Sequence, residues 1–599
     1  MTSAVRFPTV GWMLVPALWA ASAAAEDKAD GPWPAPVPGW TAPAPGEHPR
    51  LFFRKADLPE LRRRAATPEG RALVARLKVL LGGGEEMPKV FNGSGKAYEG
   101  NKAKTDGGDD KGDAGKGGKT KELPLGAYTV SHAAGFGMLY QLTGDKKYAD
   151  LGRQCFEKAF EGVRDRDDRY SWKVPGGALR AGPSLGWYAV GYDLCHDGWD
   201  EDFRRRVAKE LQDYDQGPHM DIASMAAGKR HGPGSNHWGP EIAGPALALL
   251  AIRGDAGTNA AKVDKLLAVS EKSFLRQLTE GWGDHGWFAE GDGPGTISSD
   301  TAFVPALLAW KVAGGKDFVT PRPNAQWLTL KFVMLTLPVP GATKAAFPYR
   351  GVYDHNVFSR VGMSGSGTFS QGFGAVADEY KPALLWLYNR TFRDADAKAD
   401  APFDTVSPYP ARAILALVNW PFGLAEKNPG EVLPRAVLDK RFAFAMFRNR
   451  WQDADDIVVT ALLKGSKGNY SVKGGEILVW GLGRKTKFPV SVTGDIKDFR
   501  ATEAGGAWAT SAGSFGADFS GAGGADAVLV LSGPLSGGGF KGGGQDGVVT
   551  VQAGANTFTV MTLQKGAAPE IRADGEKLQI GGQTVSLENG LVTFAKTKR

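Results

Sequence analysis

Cysteine is almost absent from this sequence: Cys155 and Cys195 are the only two in 599 residues. That excludes a disulfide-stapled scaffold, and two thiolates alone do not make a structural zinc site. Histidine is scarce as well, with eight in the chain. No uninterrupted apolar run reaches the ~20 residues that a membrane-spanning helix needs. Neither charge sign dominates: 72 Lys+Arg against 65 Asp+Glu leave a formal charge of +7. This is far from the basic stripe of a nucleic-acid binder, yet it permits weak attraction to a polyanion. What is present is ordinary for a folded protein, 42% hydrophobic and 23% charged residues, so disorder over most of the chain is excluded. Glycine is abundant, 82 residues against a usual share of ~7%. The 17 Trp, 14 Tyr and 30 Phe can fill cores or line a long sugar-binding groove. At ~150 residues per domain the length suggests about four domains, fewer if one is a large helical array.

The first residues set the expected compartment. Arg6, an apolar stretch from Val10 to Ala21 and the small residues Ala23-Ala24-Ala25 have the pattern of a cleaved secretory signal over 1–25. The protein is therefore expected to be periplasmic or secreted, with no membrane anchor once the signal is removed. In an oxidising compartment Cys155 and Cys195 are either bridged, which would stabilise by about 3–4 kcal/mol, or two buried free thiols. Residues 26–46 carry Pro34, Pro36, Pro38, Pro43 and Pro45 and form an extended lead-in.

From 47 to 425 the pattern is helix, turn, helix. Asp57 is placed to cap a helix that opens at Leu58-Pro59. The stretch 92–121 is almost all Gly, Lys and Asp and is expected to be a disordered insert. Three hairpins follow, turning at Thr143-Gly144-Asp145, near Asp197-Gly198 and at Gly254-Asp255. The first helix of each is apolar several residues deep, and the second mixes charges with leucines. An inner ring of buried helices within an outer amphipathic ring explains that alternation, an α/α toroid of helical hairpins. From 430 to 599, short apolar runs such as DDIVVTALL, EILVWGLG and ADAVLVLSG alternate with Gly, Ser and Asp clusters. They predict an antiparallel β-sandwich.

Chemistry-bearing side chains gather in two glycine-bounded loops. HGPGSNHWGPEIAG places His231, Asn236 and His237 before a buried helix, with Trp238 beside them. A helix N-terminus favours a carboxylate or an oxyanion. GWGDHGWFAEGDGPGTISSD supplies Asp284, His285, Trp287, Glu290 and Asp292 and leads into a helix at Ser299-Asp300. Trp238, Trp282 and Trp287 offer flat surfaces for sugar faces, or else they fill the core. A third group, FPYRGVYDHNVFSR, concentrates Tyr349, Arg350, Tyr353 and His355. Arg350 can hold a carboxylate bidentately, and Tyr353 or His355 can carry a proton. Tyr188 and Tyr192 are alternative bases.

HPRLFFRKADLPELRRRA, DEDFRRRVAKEL, SNHWGPEIAGPALALLAIRGD, WFAEGDGPGTISSDTAFVPALLAW and EILVWGLGR together resemble the heparinase II/III-like and alginate-lyase group of polysaccharide lyases. The resemblance implies a toroid followed by antiparallel sheets, an acidic polysaccharide substrate and β-elimination without a cofactor. It also implies that Asn236 and His237 are the pair that neutralises a uronate carboxylate. His231, Trp238, His285, Trp287, Glu290 and Arg350 are then the candidate substrate contacts, with Tyr353 and His355 completing the catalytic set. The chain departs from the group twice. No tyrosine follows Glu290 where the group's catalytic tyrosine falls, and the stretch before EILVWGLG, GNYSVKGGE, lacks the group's histidines, so no metal site is assigned. Two other readings stay open: a glycoside hydrolase using Glu290 with Asp292 or Asp300, and a non-catalytic carbohydrate-binding protein.

Overall fold

A computed structural model describes residues 32–90, 123–353, 363, 367–466, 470–533 and 547–597. The leader, the 92–121 insert and His355 lie outside them.

The helices come mostly in antiparallel pairs. α1 (Leu58–Ala65) and α2 (Pro68–Leu80) open the body, followed by α3 (His132–Thr143) with α4 (Lys146–Glu161) and α5 (Ala178–Cys195) with α6 (Glu201–Gln212). After the short α7 (Ile222–Ala226) come α8 (Trp238–Ile252) and α9 (Ala260–Arg276), then α10 (Asp292–Asp300), α11 (Phe303–Val312) and α12 (Asn324–Leu335). α13 (Thr368–Gly372), α14 (Lys381–Thr391), α15 (Arg393–Lys398) and α16 (Pro410–Asn419) complete the set. The contacts close a ring: α3 packs on α5, α5 on α8, α8 on α11, α11 on α13, α13 on α16 and α16 back on α3. α4, α6, α9 and α14 lie outside it. Every residue of α5 and α8 is buried, whereas α6 buries only one stripe, Phe203, Val207, Ala208, Leu211 and Gln212. The inner and outer rings therefore follow the hydrophobic patterns of their helices.

The turns sit where their caps put them. Gly144 ends α3 in the left-handed conformation at φ 73°, and the Asp145 carboxylate accepts the Lys147 N–H to start α4. Asp200 and Asn259 cap α6 and α9 in the same way. Asp57 departs from expectation. A short 3-10 turn precedes α1, and the Asp57 carboxylate turns back to accept the Arg54 N–H at 2.8 Å instead of capping the helix. The helix expected at Ser299-Asp300 begins earlier, at Asp292. Cys155 and Cys195 are buried free thiols.

Two short strands, β1 (Ala35–Pro36) and β2 (Lys316–Asp317), tie the lead-in to the toroid. The C-terminal part holds three antiparallel sheets. The first is β3 (Ala436–Asp439), β4 (Phe444–Arg448), β5 (Val458–Leu462), β6 (Ile477–Gly481) and β7 (Arg484–Lys487), in sequence order. β3, β4 and β5 are buried on both faces, which is why they read as nearly continuous apolar runs. Phe444, Met446, Val458 and Leu462 belong to the toroid core, while their neighbours Ala445, Phe447, Val459 and Ala461 face the second sheet. That sheet joins β8 (Asp498–Thr502), β9 (Gly505–Ala509), β10 (Ser514–Asp518), β11 (Ala527–Ser532), β12 (Val548–Ala553) and β13 (Asn556–Leu563), in the order β12-β13-β11-β10-β9-β8. A third sheet, β14 (Ile571–Asp574), β15 (Lys577–Ile580), β16 (Gln583–Glu588) and β17 (Leu591–Lys596), covers its outer face through Leu578, Ile580, Val585 and Val592. The sandwich thus carries an additional layer.

Candidate active site at the toroid–sandwich seam

The loop before α8 is held from several sides. Trp238 donates its indole N–H to the Gly228 carbonyl at 3.0 Å, and a β-carbon on Gly228 would overlap that ring, so the close approach requires glycine. The Gln277 side-chain oxygen accepts the Gly234 N–H, and the Glu241 carboxyl accepts the Arg230 N–H, each at 3.4 Å. Glu290 accepts the Asn236 N–H at 2.8 Å. The first and second glycine-bounded loops are therefore joined at the pair of interest. His237 precedes the first turn of α8, and its Nδ1 lies 3.2 Å from Nε2 of His231. Asn236 is 3% exposed, and its side-chain Oδ1 has no hydrogen-bond partner among the described residues.

Electrostatics sharpen this corner. Burial pushes the His237 imidazole down to about 3, helped by His231, Arg180 and Arg230, so the ring is neutral at physiological pH. The pair thus combines a neutral imidazole and a carboxamide before the N-terminus of α8, within the electrostatic reach of Arg180 and Arg230. That is an environment for an anion held by hydrogen bonds. One turn further along α8, burial raises the Glu241 carboxyl to about 8.

The third group arrives through the second. The Asp292 carboxylate accepts the Arg350 N–H at 2.8 Å, and the Asp292 N–H donates to the Arg350 carbonyl at 3.0 Å. A buried ion pair with Lys331 at 2.8 Å holds the other Asp292 oxygen. Gly291 pairs with Gly351, and Gly293 lies so close to the Val352 and Tyr353 carbonyls that a side chain there would overlap them. Tyr353, at φ 61°, directs its hydroxyl to that of Tyr470 at 2.6 Å. Tyr470 comes from the sandwich loop GNYSVKGGE. It was not among the residues singled out by sequence, because it lies 117 residues from its partner and no local pattern links them.

The other candidates are placed differently. Trp238 and Trp287 are fully buried and present no ring face to a sugar; Trp287 packs on Phe444 of the sandwich. His285 stands at the domain joint, its backbone N–H on Asp439 and its ring edge against Trp327. Arg350 is buried, and its Nη2 donates to the Thr460 and Glu476 carbonyls, pinning the 347–353 segment to the first sheet. Tyr188 bonds Tyr128 and Tyr192 bonds Asp255, all of them buried. Asp300 is buried against the Ser299 and Thr368 hydroxyls. Among the described residues, one group has metal-like spacing: His48, His196 and Asp255. Arg50 already fills it, with Nη2 at 2.9 Å from His48 and 2.7 Å from Asp255. His48 also bonds Asp193 at 2.7 Å, so the cluster pins the HPR segment to α5.

No family model and no curated protein matches this chain. Among solved structures it is similar to a mutant of the heparan sulfate lyase HepC from Pedobacter heparinus, at 11% identity and a TM-score of 0.43, over 90% of this chain and 94% of that one. It is also similar to the heparinase III BT4657 gene product, at 13% identity and a TM-score of 0.39, over 91% and 94% of the two chains. At such identities and scores these likenesses carry no inference about chemistry, which has to come from the residues of this chain.

Proposed function

We propose that the protein is a polysaccharide lyase that cleaves a uronate-containing chain by β-elimination. The observation that carries this reading is the Asn236–His237 pair at the N-terminus of α8, with Asn236 buried and its backbone held by Glu290 and His237 half-buried within the electrostatic reach of Arg180 and Arg230. The uronate C5 proton is barely acidic, so elimination needs the neighbouring carboxylate neutralised as charge develops. A carboxamide, a neutral imidazole, two guanidiniums and a helix end supply that. In this reading His231 donates to Nδ1 of His237, 3.2 Å from its Nε2, which leaves Nε2–H of His237 for the carboxylate. Tyr353, on the segment that Asp292 attaches to the same loop, is the proton acceptor in this reading. The +7 charge favours approach of a polyanion, and the leader-like start supports action outside the cytoplasm.

The hydrolase alternative is weaker on this geometry. Glu290 holds the Asn236 backbone, Asp292 is paired with Lys331 and the Arg350 N–H, and Asp300 is buried between hydroxyls. The test compares wild type, His237→Ala and Asn236→Ala on alginate, heparan, chondroitin, hyaluronan, ulvan and glucuronan, followed by ultraviolet absorbance of the 4,5-unsaturated uronate. We expect product from wild type on at least one polymer and a loss of ~100-fold or more in either variant, at an unchanged melting temperature. Full activity in His237→Ala would remove the pair from the mechanism.

A further inference from the structure

We propose that Tyr353 and Tyr470 act as a proton couple across the domain seam, Tyr353 as the base and Tyr470 as the acid. This rests on the elimination reading above. The two hydroxyls are 2.6 Å apart, and the rings meet edge to face at a centroid distance of 5.1 Å. One phenol comes from the toroid segment anchored by Asp292, the other from the sandwich loop closed by the Ser466–Val472 bridge. Val472 of that loop packs against Gly291 and Gly351, so the two phenols are held by a contact that both domains build. Tyr353 also occupies the left-handed backbone region, unusual for a tyrosine and found where the surroundings over-determine a position. The only comparable pair among the described residues, Tyr128 with Tyr188, is fully buried and serves packing. Tyr353 and Tyr470 are both partly exposed.

The balance of the step follows from the pairing. Tyr353, as phenolate, takes the C5 proton, and the C5–H electron pair becomes the C4=C5 double bond. The C4–O bond breaks with its electrons on oxygen, which takes the Tyr470 hydroxyl proton. Tyr353 is then a phenol and Tyr470 a phenolate. Transfer of one proton along their shared hydrogen bond restores the starting state without another reactant. Because base and acid stand side by side, they reach one face of the sugar. The couple therefore selects uronates whose C5 hydrogen and C4 oxygen share a face, the glucuronate and mannuronate configurations, over their C5 epimers iduronate and guluronate.

The experiment uses the full-length protein with Tyr353→Phe and Tyr470→Phe, on polymer pairs that differ at C5: chondroitin sulfate against dermatan sulfate, and polymannuronate against polyguluronate. Unsaturated product, deuterium uptake at C5 of recovered substrate in heavy water, and melting temperature are all recorded. We expect wild type to cleave one member of a pair, the same-face uronate, and each variant to lose ~100-fold or more at an unchanged melting temperature. Tyr470→Phe should still exchange the C5 hydrogen, since Tyr353 can take and return it, whereas Tyr353→Phe should not. Wild-type elimination in Tyr470→Phe, a preference for the epimeric uronate, or a loss of activity matched by a fall in melting temperature would overturn the couple and leave the lyase reading in place. No unsaturated product from wild type on any of the four polymers, with only saturated fragments formed, would overturn both.

Discussion

Glu241 shows what burial does to a single side chain in this molecule. It is buried in the first turn of α8, one carboxyl oxygen on the Arg230 N–H and the other without a partner among the described residues. Burial raises it from 4.5 to about 8. Across that interval the folded protein holds a proton that the unfolded chain releases, so stability falls as pH rises from 4.5 to about 8. Glu241→Gln keeps the acceptor and removes the charge. We expect it to melt higher than wild type at the alkaline end of that window and equally at the acid end; a difference independent of pH would contradict this. His237 has the opposite sign. Its imidazole, pushed down to about 3 from 6.5, adds stability as pH rises through that interval and loses it on acidification. At this scale the sequence was half legible. Asn236 and His237 stood out because a polar pair before a buried helix has a physical use. Glu290 as the acceptor for the Asn236 backbone and Tyr470 as the partner of Tyr353 did not, since both depend on contacts between distant segments.

α5 and α8 are in close contact. A β-carbon on Gly182 would sit 2.0 Å from the Pro240 carbonyl oxygen, and one on Gly244 would sit 2.0 Å from that of Gly182. The two inner helices therefore touch backbone to backbone, and backbone cannot yield as a side-chain tip can. Gly182→Ala or Gly244→Ala is expected to destabilise by at least ~2 kcal/mol, seen as a lower urea midpoint. An unchanged midpoint would mean that the helices stand further apart. The hairpins were readable because their signals are local: glycine at the C-terminal end of α3, and Asp145, Asp200 and Asn259 one position before the next helix. The third sheet was not, because β14 to β17 carry many polar residues and bury few side chains, none in β14 and only Leu591 and Val592 in β17. Asp57 misled for a related reason: a capping residue has a competing partner whenever another backbone N–H comes within reach.

In the whole molecule, toroid and sheets share one core, and buried polar anchors fix their relation. Arg448 of β4 donates to the Met334 and Thr336 carbonyls at 2.9 and 2.8 Å and pairs with Asp456 at 2.8 Å, both side chains fully buried. Arg448→Met would leave Asp456 and those carbonyls short of partners. A loss of about 3–5 kcal/mol in denaturant unfolding is expected, and a change within ~0.5 kcal/mol would contradict it. This joint bears on the proposed function because it fixes the sheet that carries the Tyr470 loop against the toroid segment of Tyr353. The toroid-plus-sheet order was visible in the change of hydrophobic period near residue 430, but no pattern within either half reveals which residues meet at the seam. Mass spectrometry of the fragments made from a defined uronate oligosaccharide separates elimination from hydrolysis. Elimination gives a new non-reducing end lighter by one water than a hydrolytic fragment and bearing a 4,5 double bond. Fragment pairs whose masses sum to the substrate plus one water, with a saturated new non-reducing end, would contradict it.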